Sequence, residues 1–202
     1  MPFWTEQDIT PKLKDRFFVL INNELLITAK SVNKPELTFD NKEYKMINHH
    51  FKYPGLPKWN TVKITFVDMT GSGTEIATPS GTANLNAAEY LLGLATTGGY
   101  TNPDKTGMVS KQDMAKALGD VVIQQISPTA LGEESNLKIK VTEEWKLVNP
   151  IIKTLTWGDL AYGDDGLVEY SLELDYDYAE LSKGQNAFGS PDVDTATEET
   201  EE

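Results

Sequence analysis

Few side chains in this 202-residue sequence could do chemistry, and their spacing excludes most reactions. His49 and His50 are the only histidines. As neighbours in an extended segment they point to opposite faces, so they neither share a metal nor act as a pair, and we expect them in a core or at an interface. A serine triad would have to rest on one of these two histidines, and no serine sits in a nucleophile elbow. With no cysteine there is no thiol nucleophile, thiolate zinc site or iron–sulfur cluster. Gly71-Ser72-Gly73 and Gly98-Gly99 fit neither the dinucleotide fingerprint nor the phosphate loop. Asp159, Asp164 and Asp165 surround a turn but lack the ligand alternation and terminal Glu of a calcium loop. We therefore expect no catalytic residue, no cofactor and no metal.

Carboxylates remain, and paired ones could in principle serve a glycosidase. The most ordered set is Glu169, Glu173, Asp175 and Asp177, expected on one face of a strand over 167–178 whose other face carries Val168, Tyr170, Leu172, Leu174, Tyr176 and Tyr178. Two readings of this stripe are open. It either forms an anionic wall facing phosphates, or it is a wet strand face that pairs with Lys138, Lys140 and Lys146 on a neighbouring strand.

The elements that position these residues are mostly strands. Segments 16–21, 25–32, 44–52, 61–69, 121–126, 137–147, 151–157 and 167–178 are rich in β-branched and aromatic residues and bounded by Gly, Pro, Asn or Asp. Val62, Ile64 and Phe66 alternate with Thr61, Lys63 and Thr65, and Leu137, Ile139, Val141 and Trp145 alternate with Lys138, Lys140, Thr142, Glu144 and Lys146. That alternation gives one core face and one wet face, as in antiparallel sheets. Tyr162-Gly163-Asp164-Asp165-Gly166 supplies a turn that pairs the last two strands. Between them and the early strands, an insertion over about 70–120 holds two helices. Asn86 and Glu89 form a capping box before 87–96, and Ser110 and Asp113 cap 111–118. The expected fold is mainly β: an antiparallel sandwich or barrel of about eight strands with one or two short flanking helices.

Charge and composition divide the chain into a β domain over 1–181 and an acidic tail over 182–202. Asp192, Asp194, Glu198, Glu199, Glu201 and Glu202 give the last eleven residues six negative charges without a positive one. Such a segment buries too little apolar surface to offset its ordering entropy, so we expect it to be disordered. The net charge of −13 becomes −13 + 6 = −7 without the last eleven residues, so the rest of the chain is acidic too. This sign argues against gripping nucleic acid or an anionic membrane. Residues 1–16 lack the pattern of a signal peptide, and no apolar run approaches the roughly 18 residues needed to span a bilayer, so synthesis in the cytoplasm is expected.

The run EWKLVNPIIKTLTWGD from Glu144 to Asp159, followed by LVEYSLELDYDY over 167–178, resembles the C-terminal half of the tail tube proteins of contractile-tailed bacteriophages. Residues 16–32 resemble that family's opening hairpin, and Lys58-Trp59-Asn60 before TVKITFVD resembles the strand leading into its helical insertion. The resemblance covers roughly residues 12–181, and type VI secretion tube proteins are similar in architecture. It implies a non-enzymatic virion protein whose hexameric rings stack into a tail tube, with the sheath and baseplate as partners. DNA would pass through that tube during genome ejection without specific binding. The stripe Glu169, Glu173, Asp175 and Asp177 would then face the lumen. A baseplate-proximal adaptor, a carbohydrate-binding adhesin domain and a carboxylate-dependent glycosidase are the alternatives.

Overall fold

The computed structural model describes residues 12–69, 75–78, 81–84, 87–101, 107–126, 141–163 and 165–183. Its elements run β1 (Phe17–Ile21), β2 (Glu24–Leu25), β3 (Ala29–Val32), β4 (Leu37–Phe39), β5 (Lys42–Met46), β6 (His49–Tyr53), β7 (Pro57–Trp59), β8 (Val62–Val67), β9 (Glu75–Thr78), β10 (Gly81–Asn84), α1 (Ala87–Thr97), α2 (Lys111–Leu118), β11 (Val121–Ile126), β12 (Val141–Val148), β13 (Ile151–Thr156), β14 (Glu169–Asp175) and β15 (Tyr178–Lys183). Two sheets carry the core, one in the order β15-β12-β11-β1-β2 and one in the order β13-β14-β8-β3, and every pairing in them is antiparallel. The expected mainly-β architecture with two helices is the observed one.

Between the sheets lie Val19, Ile21, Ile123 and Leu147 from one and Val62, Ile64, Phe66, Leu172 and Leu174 from the other. These are the inward members of the alternations, and the hydrophobic effect selects that register because a one-residue slip would expose the whole set. Leu91 and Leu94 of α1 and Met114 and Leu118 of α2 join the same cluster. Helix α2 starts where its cap predicts: the Ser110 hydroxyl accepts from the Asp113 N–H at 3.0 Å. Asn86, the expected cap of α1, lies outside the described residues.

Three expected strands are divided in the structure. Segment 25–32 is cut into β2 and β3. Segment 44–52 is the hairpin β5–β6, turning at Ile47-Asn48 with Met46 opposite His49. Segment 167–178 ends as a strand at Asp175; Tyr178 opens β15, which pairs with β12 in the other sheet. The second break falls at Ile47-Asn48, but those at 26–28 and 176–177 contain no Gly, Pro or Asn, so continuous β-forming composition hid them. At the β1–β2 connection Asn22 and Asn23 both take positive φ, 52° and 63°, as a tight two-residue hairpin requires. Strand β15 reaches Lys183, two residues past the expected domain boundary, and residues 184–202 lie outside the described set.

Candidate functional site

Glu169, Glu173 and Asp175 lie on the face of β14 opposite the buried Leu172 and Leu174. Asp177 does not continue the row: it sits in the turn to β15, where its N–H donates to the Val148 carbonyl at 3.1 Å. Each of the four acids meets a lysine. Lys30 of β3 reaches Glu169, Lys63 of β8 lies 3.8 Å from Glu173, Lys153 of β13 lies 3.5 Å from Asp175, and Lys111 of α2 lies 2.7 Å from Asp177. Hydrogen bonds from Lys111 and Asn149 hold the Asp177 carboxyl below the usual carboxylate range. The lysines named from the sequence are not these: Lys138 and Lys140 lie outside the described residues, and Lys146 pairs with Asp120 at 2.7 Å. The partners come from four other elements, which a pattern read along one strand does not identify.

Period-two alternation in β12 places Glu143 between Val141 and Trp145, on the core-facing side. The charge sits at the sandwich margin, where Lys12 bonds one carboxyl oxygen. Lys34 at 2.7 Å and the Trp145 indole N–H at 2.6 Å bond the other. Partial burial would raise this carboxyl, but the three donors outweigh it and bring it down to about 2. Lys34 also donates to Gln125 at 2.7 Å. The residue was missed in the sequence although a charge at an inward position marks it.

Lys34 matters because it roots an arm, residues 33–61, that leaves β3 and returns in β8. Across the root, the Asn60 N–H donates to the Glu36 carbonyl at 2.9 Å, the Asn33 side-chain amide to the Thr61 carbonyl at 3.2 Å and the Thr38 hydroxyl to the Lys58 carbonyl at 3.1 Å. Trp59 packs on Tyr176, ring centroids 6.0 Å apart. Burial, with the charges of Asp175 and Glu36, pushes the Tyr176 phenol up to about 12. Beyond this root the arm consists of two two-stranded ribbons, β4–β7 and β5–β6, and residues 36–54 are exposed without exception.

The arm carries apolar side chains that a solvated ribbon does not need. Phe39, Tyr44, Met46, Phe51, Tyr53 and Leu56 are exposed, and Ile47 at the tip is 98% exposed. Ile47 also takes φ +39°, a conformation costly for a β-branched residue. An isolated two-stranded ribbon is marginal in water, and a clustered exposed apolar surface marks an interaction site. His49 and His50, expected in a core or at an interface, both lie exposed on this arm, His50 3.4 Å from Glu43. They are not core residues.

A second exposed apolar segment is the β13–β14 connection, 157–168, where Leu160, Tyr162 and Leu167 stand in solvent and Trp157 is half-exposed. Gly158 starts it at φ +62°, and a Cβ there would lie 2.6 Å from the Glu169 carbonyl oxygen. Only glycine serves this corner.

Among the described residues no cluster of His, Asp and Glu is arranged to hold a metal, and no helix is long and apolar enough to cross a membrane. The cleft beside Trp59 and Tyr176 has the aromatic and polar lining that a sugar site uses. Its Thr61, Lys153 and Asp175 are instead bonded to one another, Thr61 to Asp175 and Lys153 to Thr61, both at 2.8 Å.

No protein-family model matches the chain, and no curated protein sequence matches it. Among solved structures, a chain from the PVC extracellular contractile injection system, in its extended sheath-tube complex, matches at a TM-score of 0.56 and 16% identity, covering 91% of this chain and 99% of that one. A chain from the tube-terminating cap of the anti-feeding prophage matches at 0.55 and 14%, covering 91% and 99%. One from the six-fold symmetrised baseplate of the anti-feeding prophage matches at 0.53 and 15%, covering 87% and 97%. The chain thus shares its fold with proteins of contractile injection assemblies, the architecture that the tail-tube resemblance implied.

Proposed function

We propose that this chain is a structural subunit that polymerises through its own surfaces into the tube of a contractile tail. The observation that carries this reading is the arm: residues 36–54 are all exposed, yet rich in large apolar side chains and rooted through Lys34 and Trp59. A rooted ribbon of this kind is completed by a neighbouring copy, which buries its apolar atoms and makes it part of a larger β structure. The fold shared with contractile injection proteins, one of them in a six-fold symmetrised assembly, supports stacked hexameric rings. On this reading the sheath and baseplate are the further partners, the tail of the virion is the place of action, and the lumen conducts DNA at genome ejection.

The lumen assignment of the β14 acids takes a changed form. Glu169, Glu173 and Asp175 with Lys30, Lys63 and Lys153 would make a wall of alternating sign. Such a wall offers a polyanion neither a basic track to adhere to nor a strong repulsive field.

The test is electron microscopy of the purified chain beside a variant in which 41–54 are replaced by a short Gly-Ser turn. Rings with a central hole are expected from the full chain, and folded monomers from the variant. A monomeric full chain, or a variant that still forms rings and tubes, ends the proposal.

A further inference from the structure

The strand registers place the two exposed apolar segments at opposite ends of one sheet. The arm leaves β3 at Val32 and re-enters β8 at Val62, where Val32 lies opposite Ile64 and Leu174 opposite Val62. The 157–168 loop spans the other end, where Glu169 lies opposite Val67 and Thr156 opposite Ser171. Six residues of β8 separate the ends, about 17 Å at the strand rise.

Their charges are opposite. The hairpin from Lys42 to Tyr53 holds Lys42, Lys45 and Lys52 against Glu43, a net of 3 − 1 = +2 on a chain of net −13. The loop holds Asp159, Asp164 and Asp165 and no basic residue, a net of −3. Among the described residues Lys42 and Lys45 make no ion pair, and neither do Asp159 and Asp165.

We infer that the arm of one copy docks on the 157–168 loop of the next, Ile47 and its neighbours covering Leu160, Tyr162 and Leu167 while Lys42 and Lys45 face Asp159 and Asp165. This rests on the tube reading and names the partner of its arm. A contact between unlike patches at opposite ends of one sheet is heterologous: repeated from copy to copy it closes a ring or propagates along an axis, and it does not close a two-fold dimer. It gives the polymer a direction. It also explains why basic residues cluster on this part of an acidic chain: opposite charges steer arm to loop, whereas arm-to-arm and loop-to-loop encounters are repelled.

The chain has no cysteine, so two single substitutions provide a clean probe. Ile47→Cys and Leu160→Cys chains, distinguished by mass, are mixed, allowed to assemble and oxidised. Mixed disulfide dimers are expected in the mixture, and neither variant alone should cross-link. Polymers that give no mixed dimer, or that cross-link equally within one variant, overturn the pairing and leave the tube reading standing; absence of polymers overturns both. Charge reversal is the second arm of the test. Lys42→Glu with Lys45→Glu should abolish polymers, as should Asp159→Lys with Asp165→Lys, whereas all four changes in one chain should restore them. Polymers from either reversed pair alone, or failure of the fourfold variant to assemble while remaining folded, contradict the pairing.

Discussion

Ile47 brings together three properties that seldom coincide: a β-branched side chain, a positive φ and almost complete exposure. In the isolated subunit nothing compensates its strain, so its value lies in what covers it. Ile47→Asn keeps a residue that accepts positive φ and removes the apolar anchor. The folded monomer should be as stable or slightly more so, whereas assembly should weaken by about 1.5–3 kcal/mol per contact, read as a tenfold to hundredfold higher critical concentration. Gly158→Ala acts in the opposite sense, since both φ +62° and the nearby Glu169 carbonyl oppose a Cβ. It should destabilise the fold by more than about 1 kcal/mol, visible in denaturant unfolding. Glu143 carries a pH dependence. Its carboxyl is lowered in the folded state, so its stabilising effect is complete above the unfolded value of about 4.3 and is lost as pH falls towards about 2. Glu143→Gln should flatten the fall in melting temperature over that acid window and loosen the arm root.

Strand β8 is the element on which the site depends, because it pairs with β14 on one side and β3 on the other and spans the arm and loop ends. Thr65 lies opposite Ser171 and Ser31. Thr65→Pro removes the N–H from a central ladder, and loss of folding is expected by circular dichroism; tubes from this variant would refute the strand assignment. The acids of β14 are a different matter. Exposed ion pairs contribute roughly 0–1 kcal/mol each, so replacing Glu169, Glu173, Asp175 and Asp177 by Gln should lower thermal stability modestly before it changes anything that passes through a tube. Slower DNA delivery from tubes of unchanged stability would instead favour a bare acidic wall.

At the scale of the whole chain, excess negative charge opposes association, and the only strong local exception along the arm is the Lys42–Tyr53 hairpin. Residues 184–202 hold six of the acids. Truncation after Lys183 should leave the melting temperature unchanged, since the buried cluster draws on residues before 175. It should also ease assembly at low ionic strength, where screening is weakest. A drop of many degrees would assign the segment to the folded domain.

The mainly-β class, the alternating faces of β8 and β12 and the cap of α2 were legible in the sequence alone, because each depends on residues within a few positions of one another, and the lack of cysteine is a fact of composition. The resemblance in 144–178 also pointed to the right architecture. Only the tertiary structure decided which lysine meets each acid, that 44–52 is a bare hairpin rather than a core strand, and that Glu143 fastens the arm through Lys34. It alone placed the arm and the 157–168 loop at opposite ends of one sheet. Apart from the local turn at Ile47-Asn48, these facts depend on pairings between residues tens to more than a hundred positions apart, which burial of the common core selects and which no local period encodes.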